Sequence, residues 1–230
     1  MKDSIIRIAI ILLDVDPAIW RRIEAPASMT LESLHDVIQI LMDWADYHLH
    51  HFQLGDVMYG APSPEDHEMN DGRKVKLSTL LIDGERAFQY LYDYGDGWCC
   101  MVMLEAVAPI RPGVAYPRLI EGARRGPPED VGGPWGYGEF LEAIADPKHE
   151  RHTELLEWCG GDFDPQQFDI DAINRAASPR LRLERAPAAR LPSRPPAELA
   201  GGPHRTRTDK TRSSICKVRE QCAKRNNEIY

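Results

Sequence analysis

The sequence predicts an α+β domain, and three observations carry that prediction. An isoleucine-rich run over residues 5–13 is followed, across Asp14-Val15-Asp16-Pro17, by a second extended stretch, AIWRRIEA. An Asp-Gly pair separates two alternating runs, FQYLYDY and WCCMVMLEAV, which is a strong short-range hairpin signal. Three late segments, EFLEAIAD, HTELLEWC and FDPQQFDIDAINRA, read as short helices closed by Pro or Gly. The expected architecture is a set of antiparallel β-hairpins forming a mixed or antiparallel sheet. That sheet packs on an N-terminal helix and is followed by a C-terminal group of short helices.

Taken in order, the first run is nearly unbroken in apolar residues, the pattern of a strand covered on both faces. Thr30 has the chemistry of an N-cap, and Glu32 stands in the first turn, where the helix dipole favours an acid. The helix that follows places Leu31, Leu34, Ile38, Leu41 and Ala45 on one stripe, with Glu32, Asp36, Gln39 and Asp43 elsewhere. HLHHFQL, residues 48–54, alternates as a strand does. GAPSPEDHEMNDG then reads as a polar loop and KLSTLL as a short helix or turn. A two-residue Asp96-Gly97 turn puts Asp93 opposite Cys100, with Phe88, Tyr90, Tyr92 and Tyr94 on the other face beside Met101 and Met103.

Charge divides the chain. Residues 1–175 hold 15 Lys+Arg against 31 Asp+Glu, whereas residues 176–230 hold 13 against 5. The boundary falls near residue 176: a 1–176 domain, then a 177–230 tail of scattered Pro and Arg. The tail has too little apolar surface to offset its ordering entropy and is expected to be disordered. Its arginines suit weak electrostatic contact with nucleic acid, while the acidic domain favours a protein partner. The tail's composition also resembles readthrough from another frame. The apolar run over 5–13 is interrupted by Arg7 and is too short to span a bilayer. Five cysteines without C-x-x-C spacing suit a reducing compartment. A cytoplasmic protein without a membrane partner is expected.

DPAIWRRIEAP, HLHHF near Trp44, YDYGDGW and YPRLIEGARRGPPEDVGGPWGYGEFLEAIADPKHE with FDPQQFD resemble the plasmid pRi-type open-reading-frame-three-like family over residues 4–176. The resemblance implies an α+β domain found on plasmids, in chromosomes and beside insertion-sequence transposases, with no established biochemical activity. One branch carries a label suggesting a resolvase. Ser4 gives that label no support, having only Arg7 nearby. The resemblance also implies that relatives carry His at the position of Cys100 and Cys at those of Leu119, Gly126 and Val131, the ligand set of a structural zinc site. Zinc is thus implied for relatives, and no cofactor is expected here.

The candidate polar site comprises His48, His50, Asp93, Asp96, Glu129 and Asp130. On a strand His48 and His50 share a face, half of a metal site that Asp93 or Glu129 could extend; hydrogen-bonded sheet residues are the alternative. Asp96 is either a turn residue or a member of this group. Glu129 and Asp130 are either a carboxylate pair or, for Asp130, a cap on the glycine-rich corner before a helix near Gly138, a corner held by Trp135 and Tyr137. Cys99 and Cys100 point to opposite faces of their strand. No G-x-S-x-G, P-loop, H-E-x-x-H or dinucleotide signature is present. Two functions compete: a non-enzymatic binding or accessory module, and a hydrolase using a His/Asp/Glu cleft, metal-dependent in relatives.

Overall fold

In the first strand, β1 (Ser4–Leu12), Ile6, Ile8, Ile10 and Leu12 are buried on one side, while on the other Ile5 and Ala9 are buried, Ile11 is half-buried and Arg7 is exposed. The strand is covered on one face and, apart from Arg7, largely covered on the other, as its nearly unbroken apolar run implies. It turns back into β2 (Trp20–Pro26) in antiparallel register, with Ile8 opposite Ile23. The computed structural model describes residues 3–62 and 68–182, of which residues up to Ala177 belong to one unit.

Helix α1 (Leu31–Met42) begins at Thr30, whose side chain accepts the Ser33 N–H at 3.2 Å. Its buried face differs from the expected stripe: His35 and Gln39 are buried, and Ala45 is exposed beyond the helix end. Asp43, at φ 61°, closes the helix and sends the chain into the 44–49 connection.

The expected strand over 48–54 begins only at His50: β3 is His50–Leu54. A Gly55-Asp56 turn joins it to β4 (Val57–Gly60), with Leu54 opposite Val57. β5 (Met69–Asp71) lies where a loop is expected and runs parallel to β4. A 3-10 turn (Gly72–Lys74) leads to α2 (Leu77–Ile82).

The hairpin of β6 (Ala87–Tyr92) and β7 (Trp98–Pro109) exists, but its register corrects the expected one. Tyr92 faces Trp98 and Tyr90 faces Cys100, so the connection is residues 93–97 rather than Asp96-Gly97 alone. Asp93 lies at φ 55°, and its carbonyl accepts the Gly97 N–H at 2.6 Å. Cys100 therefore shares a face with Tyr90, and Asp93 is not opposite it.

β8 (Arg118–Ala123) pairs with β2. The order across the eight-stranded sheet is β5-β4-β3-β6-β7-β1-β2-β8, antiparallel except at β4–β5. Helices α3 (Gly133–Ala145), α4 (His152–Trp158) and α5 (Ile170–Arg182) follow. FDPQQFD is turn and coil, so only its sequel is helical, and α5 continues past residue 176. The remainder of the 177–230 segment, including Cys216 and Cys222, lies outside the described residues.

Two side chains fasten the β8 end of the sheet. Asn174 of α5 donates to the Leu119 carbonyl at 3.0 Å and accepts the Leu119 N–H at 2.8 Å, bonding both backbone groups of one β8 residue. Arg21 is buried and donates to the carbonyls of Leu41, Trp20 and Ala123; burial lowers its pKa to about 10. Arg22 instead reaches solvent-facing Glu105 and Glu121. No helix among the described residues is long and apolar enough to cross a membrane, and Cys99, Cys100 and Cys159 form no disulfide with a described residue.

Candidate functional site

Three connections meet at one end of β3 and β6: residues 44–49 after α1, residues 93–97 after β6, and the 126–132 stretch before α3. Each is anchored by local chemistry. The Trp44 indole N–H donates to the Pro127 carbonyl at 3.0 Å, while its ring stacks on Tyr92 at 4.8 Å. Glu129 accepts the Ala45 N–H at 3.0 Å and a short hydrogen bond from the Tyr92 hydroxyl. The Asp93 N–H donates to the Leu49 carbonyl at 3.0 Å.

Asp96 accepts the backbone N–H of Gly132 at 3.0 Å, at the start of α3. The role foreseen for Asp130, capping the glycine corner, thus belongs to Asp96. Asp130 sits at φ 59° with its carboxylate turned toward His48. The corner itself is helical: α3 starts at Gly133, not near Gly138, and carries Pro134 in its first turn. Gly133 has φ 70°, and a Cβ there would stand 2.1 Å from the Asp96 carbonyl oxygen, so the two loops touch backbone to backbone. Tyr137 is buried, whereas Trp135 is 80% exposed and its indole N–H reaches only Glu139 of the same helix, at 3.0 Å.

The two histidines expected to share a site are divided. His48 Nε2 lies 3.6 Å from Asp93 Oδ2 and 3.3 Å from Asp130 Oδ1. His50 instead stacks on His35, ring centroids 3.4 Å apart, with its Nε2 3.7 Å from Glu32. His35 is the centre of a closed hydrogen-bond circuit. Gln39 donates to the Tyr90 hydroxyl at 2.9 Å, Tyr90 meets His35 Nδ1 at 2.7 Å, and His35 Nε2 meets Asp46 at 3.0 Å. The Asp46 N–H returns to the Gln39 side-chain amide oxygen Oε1 at 3.1 Å. Burial lowers the His35 pKa to about 3, so the imidazole is neutral, and the circuit assigns its proton to Nε2. The Asp46 carboxyl is raised, first by burial. Sequence reasoning overlooked His35. The signal is that residues 31, 35 and 39 continue one helical row whose first member is an expected core leucine.

The His48 group has the makings of a cation site. Its three ligand atoms lie within 4.8 Å of one another. His48 Nε2 is shielded from solvent yet has no hydrogen-bond partner, although two carboxylate oxygens stand 3.3 and 3.6 Å away. Those spacings are long for hydrogen bonds. They match the ~3.3 Å between atoms that each bind one tetrahedral cation at ~2.0–2.1 Å. Asp93 Oδ1 accepts the Gly95 N–H at 2.9 Å, which orients Oδ2 toward the imidazole. The Asp96 carboxyl is raised by burial, then by Asp93 and Asp130, while the Gly133 and Gly132 N–H groups oppose the shift. Among the described residues no Lys or Arg pairs with these three acids.

The four positions implied as ligands in relatives do not converge. β1 and β2 lie between Cys100 on β7 and Leu119 on β8, a separation of roughly 14 Å at the usual strand spacing. Cys100 is fully buried and burial pushes its thiol up to about 12. At Gly126 a Cβ would lie 2.0 Å from the Met42 carbonyl oxygen, so this backbone admits no side chain there. Val131 stands beside the His48 group without a ligating atom, its carbonyl against Gly136.

Residues 4–172 match the family described as plasmid pRiA4b ORF-3-like protein. The chain belongs to that family. Within its reach, the uncharacterized protein y4hQ of Sinorhizobium fredii (strain NBRC 101917 / NGR234) is 43% identical over 182 residues, covering 76% of this chain and 92% of the relative. A crystal structure of a protein of unknown function from Methanosarcina mazei Go1 shares 36% identity at a TM-score of 0.70, covering 75% of this chain and 98% of that one. The pRiA4b ORF-3-like match takes in all three connections of the His48 group.

Proposed function

We propose that this domain is a binding module that works through one divalent cation held by His48, Asp93 and Asp130. The observation that carries the reading is the pairing of a solvent-shielded, unpartnered imidazole nitrogen with two carboxylate oxygens at ligand spacing. One nitrogen and two oxygens suit Zn²⁺ or Mn²⁺ better than a soft thiolate-seeking ion. The cation would neutralise an acidic corner that has no basic partner among the described residues. Tyr47 and Leu49, on either side of His48, are 79% and 67% exposed and offer a protein partner an apolar rim. The domain's acidic excess favours such a partner over nucleic acid.

A specific feature favours hydrolysis as a second reading: three protein ligands leave a coordination position for water, as catalytic rather than structural sites do. The cation would then act as a Lewis acid and lower the pKa of that water.

The deciding experiment titrates the EDTA-stripped full-length chain with Zn²⁺ and with Mn²⁺ in a calorimeter. About one ion per chain is expected, with binding weakened at least tenfold in Asp93→Asn and His48→Gln and unchanged in His50→Gln. Binding that survives His48→Gln, or no binding at all, ends the reading. Metal-dependent turnover of p-nitrophenyl esters or phosphates by the loaded chain would select the second reading over the first.

A further inference from the structure

A cavity lined by none of the His48 group lies between α3, the turn after β1 and the chain that joins α4 to α5. Its volume is about 340 Å³, within the range of small-molecule sites, and its walls include Pro17, Tyr137, Leu141, Ile144, Phe163 and Arg124. Phe163 and Tyr137 are buried and meet edge to face at 6.4 Å, giving the cavity a rigid aromatic wall. Arg124 is the charged member. It follows β8 directly and is set at φ 67°, a conformation a non-glycine residue adopts only when its surroundings impose it.

The guanidinium is incompletely used. Nη1 donates to the Ala18 carbonyl at 3.0 Å, Nε is buried with no hydrogen-bond partner, and Arg124 forms no salt bridge with a described residue. In a domain with twice as many acids as bases, an arginine left without a carboxylate beside an apolar cavity is an unmet demand for an anion. Tyr137 lines the same cavity, and burial pushes its phenol up to about 12 against the smaller opposing effect of Arg124 and Arg125.

From this arrangement we infer that the cavity binds a small organic carboxylate with an aromatic or branched apolar body. The body packs against Phe163, Leu141 and Ile144, and the carboxylate pairs with Arg124. Carboxylate suits a planar guanidinium through paired N–H donors, and the apolar lining rejects a fully hydrated inorganic anion. This site shares no residue with the cation site, so either can fail without the other.

The test is calorimetric titration of the full-length chain with 3-phenylpropionate and with its neutral amide. The acid is expected to bind at least about tenfold more tightly than the amide. Arg124→Gln is expected to erase that difference, and Ile144→Phe, which fills the cavity and leaves the charge, to weaken both ligands. Equal affinities, no binding of the acid, or a preference that survives Arg124→Gln would each overturn the inference. If Arg124→Gln loses its far-UV circular dichroism, Ile144→Phe decides alone: undiminished acid binding places the ligand elsewhere.

Discussion

Asp96 and Gly132 are 36 positions apart in sequence, and the carboxylate of one accepts the backbone N–H of the other at 3.0 Å. The loop after β6 thereby serves as the cap of α3, a helix whose own N-cap residue, Gly132, has no side chain to offer. Asp96→Ala is expected to lower the unfolding free energy by ~1–2 kcal/mol in urea denaturation. Asp96→Asn keeps an acceptor and removes a charge. Because burial raises the Asp96 carboxyl, the folded chain holds this proton more tightly than the unfolded one, so its charge subtracts stability as pH rises above the ordinary Asp range. In EDTA, wild type should therefore lose ground to Asp96→Asn over that interval. An Asp96→Ala protein as stable as wild type would show that the cap does not matter.

Gly126 is set by contact rather than by φ. Its Cβ position lies 2.0 Å from the Met42 carbonyl oxygen, at the end of α1, where backbone cannot yield cheaply. Gly126→Ala should destabilise the chain by ~1–3 kcal/mol or more, and Gly126→Cys at least as much, measured by urea midpoint. A neutral Gly126→Cys would mean that this corner adapts to the side chain implied in relatives.

His35 should make the protein acid-sensitive in a defined window. Its folded pKa of about 3 lies below the ~6.5 of a free histidine, so between those values the unfolded chain binds more protons and stability falls as pH falls. The contribution is complete above the unfolded value and decays at up to ~1.4 kcal/mol per pH unit toward the folded one. His35→Gln should show a shallower decline between pH ~6 and ~4. Nitrogen-detected NMR at pH ~5 should find a neutral imidazole protonated at Nε2; an imidazolium there would contradict the circuit with Tyr90 and Asp46.

Adjacent Arg21 and Arg22 should behave oppositely. Arg21→Met removes three bonds to backbone carbonyls, one of them buried at the C-terminal end of α1, and should cost ~2–4 kcal/mol with little dependence on salt. Arg22→Ala loses pairs with two solvent-facing glutamates and should stay within ~1 kcal/mol, shrinking as salt rises. Denaturation of both variants at low and high ionic strength separates them.

Local signals carried the parts of the fold that sequence made legible. The β1–β2 hairpin, the Thr30 cap and the position of α1 follow from apolar runs and capping chemistry within a few residues. What failed depended on distant atoms. The Asp-Gly rule places a two-residue turn at Asp96, but the Asp96 carboxylate is drawn to Gly132 and the loop opens to residues 93–97. HLHHF reads as a strand with His48 and His50 on one face, but the strand starts at His50, so His48 turns to Asp93 and Asp130 while His50 turns to His35. The composition of the candidate site could be assembled from sequence. Its partition into two groups could not, because strand onset is fixed by pairing with β6.

The amide of Asn174 gives β8 what a ninth strand would supply. An outermost strand with free N–H and C=O groups invites the edge of another molecule, and sheets are normally protected there by charge, bulges or brevity. β5, at the far side, is protected by brevity; β8 is twice as long and is occupied at Leu119 by a side chain that mimics a backbone partner. One residue of a helix, at a position no strand pattern would single out, thus occupies the Leu119 backbone groups that a further strand would need.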